Sequence, residues 1–258
     1  MIIIKNPDQL GKMRSAGHLL YDVLQKVREE IKPGMTTMDL NRITDTLIRK
    51  GGGIPTELNY MGYPASICAS VDDEVVHGIP SSHVVLKEGS IISIDVTLSL
   101  HGWQADSAFT APIGQISPEK EKLIKVTEEC FWKGAAMALS GNRIGDISSA
   151  VQTHAEANGY GVVRDLTGHG IGQDMHEDPS VPNFGLPGHG VKLRPGMTIC
   201  VEPMIAMGRW NVHQLADGWT IVTNDHKPAA HYEHTVAVTP GGLPELLTFP
   251  GASWEGKL

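Results

Sequence analysis

Between Ser90 and Thr110 the chain spells two strands and the turn that joins them, and this hairpin carries two aspartates with no nearby cation to neutralise them. Ile92, Ile94, Val96, Leu98 and Leu100 alternate with Ser93, Asp95, Thr97 and Ser99. A period of two therefore sends the even positions to an apolar core and the odd ones to a polar cavity. His101-Gly102 reads as a two-residue hairpin turn. With those residues at the tip, Asp106 falls opposite Thr97 and becomes the diagonal neighbour of Asp95 on one face, roughly 7 to 8 Å away at the backbone. No Lys or Arg occurs from Ile91 to Pro112. Two acids held this close and away from water repel unless a cation lies between them.

Three further residues have comparable settings. Met197 to Val201 is a short apolar run ending at Glu202, and Pro203 marks a strand end or an edge position. From His231 to Val238 a strand alternates His231, Glu233, Thr235 and Ala237 against Tyr232, His234, Val236 and Val238, which puts Glu233 on the polar face. His169 is enclosed in Gly168-His169-Gly170-Ile171-Gly172, where glycines allow close backbone approach and leave the imidazole free to reach a cavity. The four carboxylates carry a formal charge of minus four, which two divalent ions balance and one does not. Oxygen-dominated ligation with a single imidazole suits manganese, iron, cobalt, zinc or nickel better than a thiolate-selecting ion. Paired ions of this kind activate water and polarise a substrate oxygen, which is hydrolytic chemistry.

The rest of the chain is consistent with an enzyme. At 258 residues and 41% hydrophobic it can bury a large core. A net charge of −8 argues against a nucleic-acid or membrane-surface binder. Apolar runs are too short to span a membrane, and Met1-Ile2-Ile3-Ile4-Lys5 is too short for a signal-peptide core, so a cytoplasmic protein is expected. Cys68, Cys130 and Cys200 are widely spaced and odd in number, which implies reduced, mostly core-packed thiols.

The order of elements repeats. A helical pattern from about Pro7 to Glu30 and a second helix capped near Thr36 or Thr37 are matched later by helices from about Pro118 to Leu139 and Asp146 to Asn158. Each half then offers a His-Gly-Ile, at His77 and at His169, followed by a strand bearing an acid. This predicts an α+β sandwich, a sheet covered by helices on one side, with a site between halves of about 1–115 and 116–258.

The motifs Val76-His77-Gly78-Ile79-Pro80, Ile94-Asp95-Val96, Asp106 with Ala108 and Thr110, Gly168-His169-Gly170-Ile171-Gly172, Met175-His176-Glu177, Val201-Glu202-Pro203-Met204 and Tyr232-Glu233-His234-Thr235 together resemble the type I methionine aminopeptidases. That resemblance runs from Met13-Arg14 through Thr239. It implies a single catalytic domain over 1–258 with the pita-bread metallopeptidase fold, a pseudo-twofold duplication around a central antiparallel sheet. It also implies that Asp95, Asp106, His169, Glu202 and Glu233 ligate two divalent ions, the set reached above from spacing and charge.

Further roles come from the resemblance alone. His77 is similar to the histidine that contacts the scissile peptide nitrogen. His176 is similar to the one that binds the substrate carbonyl and its oxyanion. Glu202 corresponds to the carboxylate that carries a proton from the attacking water to the leaving amine. Tyr60, Tyr63, Cys68 and Trp219, with His77 and His176, resemble the walls that receive the substrate's methionine, although Met175 stands where the family often has Phe. The implied substrates are peptides and nascent proteins that begin with methionine followed by a small residue, and the implied state is a monomer. Prolidases and aminopeptidases P carry an extra N-terminal domain, whereas 94 residues precede Asp95 here. Type II enzymes carry a helical insertion for which the His169 to Glu202 interval leaves little room. A catalytically silent binding protein of the same fold would lack ligands, and all five are present.

Overall fold

The computed structural model describes residues 1–257. Four helices and one large antiparallel sheet dominate it. α1 spans Pro7–Glu30 behind a capping box in which the Asn6 side chain accepts from the Gln9 N–H and the Gln9 side chain accepts from the Asn6 N–H, both at 2.9 Å. α2 spans Thr37–Lys50 with the same device at Thr36 and Asp39. α3 (Pro118–Ala135) and α4 (Ile144–Ala157) form the second pair. α3 ends four residues before the sequence pattern does, because Ala136 to Leu139 pass into a succession of turns.

The hairpin strands are Ile91–Leu100 and Trp103–Pro112, and Thr97 faces Asp106 in the register expected from the turn. His101 and Gly102 both have positive φ, 52° and 78°, as a type I′ turn requires. Across the sheet the order runs Ile54–Pro55, the two hairpin strands, Glu233–Ala237, Thr198–Val201, Thr167–Gly170 and Glu177–Pro182. Cys68–Val71 lies beside the first hairpin strand. The even positions of that strand meet Leu20, Val23, Leu24 and Val27 of α1 and Phe131 and Trp132 of α3 in one apolar cluster.

Asp95 and Thr97, at odd positions, border a cavity as the alternation predicts, and Ser93, Thr97 and Ser99 are themselves buried because loops and small sheets cover that face. One expectation needs correcting: the segment His231 to Val238 is not one strand. Ala229–His231 pairs with Met204–Ala206 in a small sheet, and the chain passes at Tyr232 into Glu233–Ala237 of the large one.

The N-terminal segment is tied down by chemistry. Lys5 Nζ donates to Glu177 Oε2 at 2.5 Å, and the two side chains are 2% and 4% exposed. Removing one member of such a pair strands the other charge, so Lys5→Met is expected to cost about 3 to 5 kcal/mol. A urea titration of the variant checks this, and a double variant with Glu177→Leu should recover part of the loss.

Candidate metal centre and adjoining cavity

The five sequence-predicted ligands come one each from five strands that are consecutive in the sheet. Asp95 and Asp106 stand on the hairpin strands, Glu233 opens the next strand, Glu202 directly follows Thr198–Val201, and His169 is in Thr167–Gly170. Glu233 pairs with Ala108 in register, and Ser107 Oγ donates to the Glu233 carbonyl at 2.7 Å. Thr235 Oγ1 accepts from the Asp106 N–H and donates to its carbonyl. The glycines around His169 serve close approach: a Cβ on Gly168 would lie 2.3 Å from the Cys200 carbonyl, and one on Gly170 would lie 2.1 Å from that of Asp178.

The convergence is tight. His169 Nε2 is 3.6 Å from both Asp106 Oδ2 and Glu202 Oε1. One donor atom each from Asp106, His169 and Glu233 lie within 4.8 Å of one another. Asp95 Oδ1, Asp106 Oδ1 and Glu233 Oε1 are buried with no hydrogen-bond partner among the described residues. Buried carboxylate oxygens almost always have partners. Burial, followed by repulsion from the neighbouring acids, pushes Asp106, Glu202 and Glu233 well above the carboxylate range, and burial pushes Asp95 up to about 7. Burial, with a further push from His176, lowers His169 to about 3, so its ring is neutral. Its Nδ1 donates to the Gly170 carbonyl at 2.9 Å, which leaves the Nε2 lone pair aimed at the acids. Orphaned oxygens, mutual repulsion and an oriented neutral imidazole fit a divalent cation centre.

The cavity beside this cluster has a volume of about 360 Å³ and is bordered by every sequence-predicted pocket residue: Tyr60, Tyr63, Cys68, His77, His176 and Trp219. Met175 also borders it. Tyr63 and Trp219 meet edge to face at 5.1 Å between centroids. His77 has a φ of 59°, a strained conformation for a residue with a side chain, which turns its ring toward Trp219 and the cavity. His176 packs against His169 with ring centroids 4.2 Å apart and planes tilted by 58°, and its Nδ1 is 2.8 Å from the Tyr60 hydroxyl.

Three buried groups at the site were missed by sequence reasoning. Glu57 is a fifth acid; its Oε1 accepts from the Thr97 N–H at 3.0 Å, its Oε2 accepts from the Cys68 thiol at 3.4 Å, and burial and Asp95 raise its pKa. Cys200 lies within reach of Asp106, His169 and Glu233 while packing in an apolar cluster with Met13, Ile171 and Leu247, so it backs the site from the core; Cys130 packs in the core as well, and Cys68 borders the cavity. His231 approaches Glu202 and Glu233. A lone acid in a loop, or a thiol or imidazole on an alternating strand, has no spacing that distinguishes it from a packing residue. The β-alternation that placed Glu233 could have drawn attention to His231, two positions earlier on the same face.

The sequence profile of metallopeptidase family M24 matches residues 11–240. The chain is 52% identical over 248 residues to the methionine aminopeptidase of Clostridium acetobutylicum, covering 96% of this chain and 99% of that one. It is 48% identical to methionine aminopeptidase 1 of Bacillus subtilis, again over 96% of this chain and 99% of the relative. The crystal structure of the methionine aminopeptidase from Rickettsia prowazekii superposes with a TM-score of 0.94 at 41% identity, covering 96% of this chain and all of that one. A pita-bread sheet with its acids and histidine converging on one face, matched over nearly the whole chain in sequence and in fold, shows that the protein belongs to the methionine aminopeptidases of metallopeptidase family M24.

Proposed function

We propose that the protein hydrolyses the first peptide bond of peptides and nascent proteins that begin with methionine, releasing it when the second residue is small, and that one catalytic domain formed from both halves does so with two divalent ions. The observation that carries this reading is the set of buried, unpartnered oxygens of Asp95, Asp106 and Glu233 facing the same space as His169 Nε2 and Glu202. Five residues hold the ions in this reading: Asp95, Asp106, His169, Glu202 and Glu233. When bound, a pair of such ions lowers the pKa of water and polarises the substrate carbonyl.

The remaining chemistry belongs to side chains. Water adds to the carbonyl carbon, the C–N bond breaks, and the proton that water gives up must reach the departing amine. In this reading Glu202 carries that proton, since its carboxylate borders the cavity and faces His169 at 3.6 Å. His176 binds the carbonyl oxygen. Burial holds its pKa down, so the ring is neutral, and the Tyr60 hydroxyl donating to Nδ1 makes Nε2–H the free donor. Tyr60 is thereby more than a wall of the pocket. His77, neutral for the same reason of burial, is oriented by its strained backbone and contacts the leaving nitrogen. Tyr63, Cys68 and Trp219 bound the slot for an unbranched thioether.

A three-peptide assay tests the assignment. Met-Ala-Ser should be cleaved, acetyl-Met-Ala-Ser should not, because blocking removes the α-amine that binds at the closed end, and Met-Lys-Ser should be cleaved far more slowly. Norleucine in place of methionine should be processed with a loss of about 1 to 3 kcal/mol or less, the value of one methylene-sized change in an apolar pocket. Comparable cleavage of all three methionyl peptides would overturn the assignment in favour of a broader peptidase on the same fold.

A further inference from the structure

Glu202 lies between two imidazoles. His169 Nε2 is 3.6 Å from its Oε1, while His231 Nε2 is 3.7 Å from its Oε2 and 3.9 Å from Glu233 Oε2. The two rings differ in what stands behind them. His169 gives its Nδ1 proton to the Gly170 carbonyl and so presents a bare lone pair, the arrangement of a metal ligand. His231 has no such backing. It is 1% exposed, yet neither ring nitrogen has a hydrogen-bond partner among the described residues. Its backbone cannot swing away, because Thr110 Oγ1 accepts from the His231 N–H at 2.9 Å and donates to the His231 carbonyl at 2.9 Å. A neutral imidazole carries one N–H, and a buried N–H without an acceptor is rare. The acceptors in front of Nε2 are the carboxylates of Glu202 and Glu233, less than 1 Å beyond hydrogen-bond length.

We infer that His231 is a positioning residue: with its proton on Nε2 it donates to Glu202 Oε2 and fixes the rotation of that carboxylate, so that Oε1 alone faces His169 and exchanges the proton during hydrolysis. This rests on Glu202 being the proton carrier proposed above. The shape of the fold supports it. His231 ends the short strand Ala229–His231, whose partner Met204 is two residues beyond Glu202, so the small sheet sets the distance between the two side chains. Without a second contact, a glutamate just past the end of its strand can turn about its last torsion and present either oxygen.

Three variants of the full chain test this: His231→Gln, whose amide nitrogen reaches about as far as Nε2, His231→Asn, which falls short, and His231→Leu, which removes the donor. Turnover of Met-Ala-Ser should fall about 10- to 100-fold in the Leu and Asn variants with KM little changed, and stay within a few-fold of wild type in the Gln variant. Calorimetric metal stoichiometry and the visible bands of the cobalt(II) forms should be unchanged in all three. In zinc-loaded protein labelled with ¹⁵N-histidine, the ring signal missing from His231→Gln should be the Nε2-protonated tautomer, whatever the activity. Loss of a metal equivalent or displaced cobalt bands in His231→Leu would make His231 a ligand and overturn the inference. So would an Nδ1-protonated ring, wild-type turnover in the Leu variant, or equal losses in Leu and Gln. Inactive wild-type protein would instead count against the functional reading, and the ring signal would still decide the role of His231.

Discussion

Dialysis of the protein to a verified metal-free state is expected to abolish cleavage of Met-Ala-Ser, and divalent ions should restore it. The expectation follows from charge: at an effective dielectric of 20, two carboxylates about 4 Å apart repel by roughly 4 kcal/mol, and four face one another here with Glu57 close behind. Asp106→Asn, which keeps the shape and removes one charge, should lose at least one ion by calorimetry, and Asp95→Asn should behave alike. Normal hydrolysis by demonstrably metal-free protein would sink the metallopeptidase reading. The metal-free protein should also become less stable as pH rises from about 6.5 to 7.5. Acids whose folded pKa is raised bind more protons folded than unfolded, so their contribution is present below the unfolded value near 4 and is lost as pH climbs through the folded one, about 7 for Asp95, with the raised acids beside it acting in the same direction. The buried histidines act in the opposite sense, but only below about 6.5, where their unfolded forms protonate. Urea midpoints at the two pH values, with and without metal, give the comparison, and the loss should shrink on metal loading.

His176→Ala should lower turnover by 10² to 10³, about 2.7 to 4 kcal/mol, the usual cost of one oriented donor to a developing oxyanion, while metal content stays normal. Because Tyr60 orients the ring, Tyr60→Phe should reproduce a smaller part of the same defect in turnover, with no change in bound metal. Should either variant lose metal in proportion to activity, His176 would be acting on the centre rather than on the substrate. His77→Ala is expected to resemble His176→Ala, since its ring too borders the cavity without joining the ligand cluster.

The hairpin was legible because ten alternating residues, a two-residue turn and ten more residues leave one register that keeps Ile92 to Leu98 inside. The helices were legible through the apolar periodicity that starts at Pro7 and the cap at Thr36. The candidate ligands stood out because the acids sit on or end strand-like apolar runs and because glycines flank His169. What escaped shares a different physics. Glu57, Cys200 and His231 acquire their meaning from neighbours distant in the chain, and no local pattern marks a loop acid that ends up beneath Asp95. The Lys5–Glu177 pair hid for the same reason, since its two members lie 172 residues apart in the chain. The burial of Ser93 and Thr97 was invisible because alternation reports which side a residue takes, and says nothing of what will roof that side.

The sheet is assembled from two pieces that do not touch in chain order. Residues 54–112 make one contiguous part and residues 167–201 the other, and the strand that joins them, Glu233–Ala237, follows both in the chain. Until it arrives, the Trp103–Pro112 and Thr198–Val201 edges each present an unpaired row of backbone donors and acceptors, open to self-association. This strand is a keystone in the builder's sense: it bears on both flanks and is set last. A chain cut short before residue 230 therefore leaves two half-arches prone to aggregate rather than a weakened enzyme, and in refolding the recovery of activity should track the seating of this one strand.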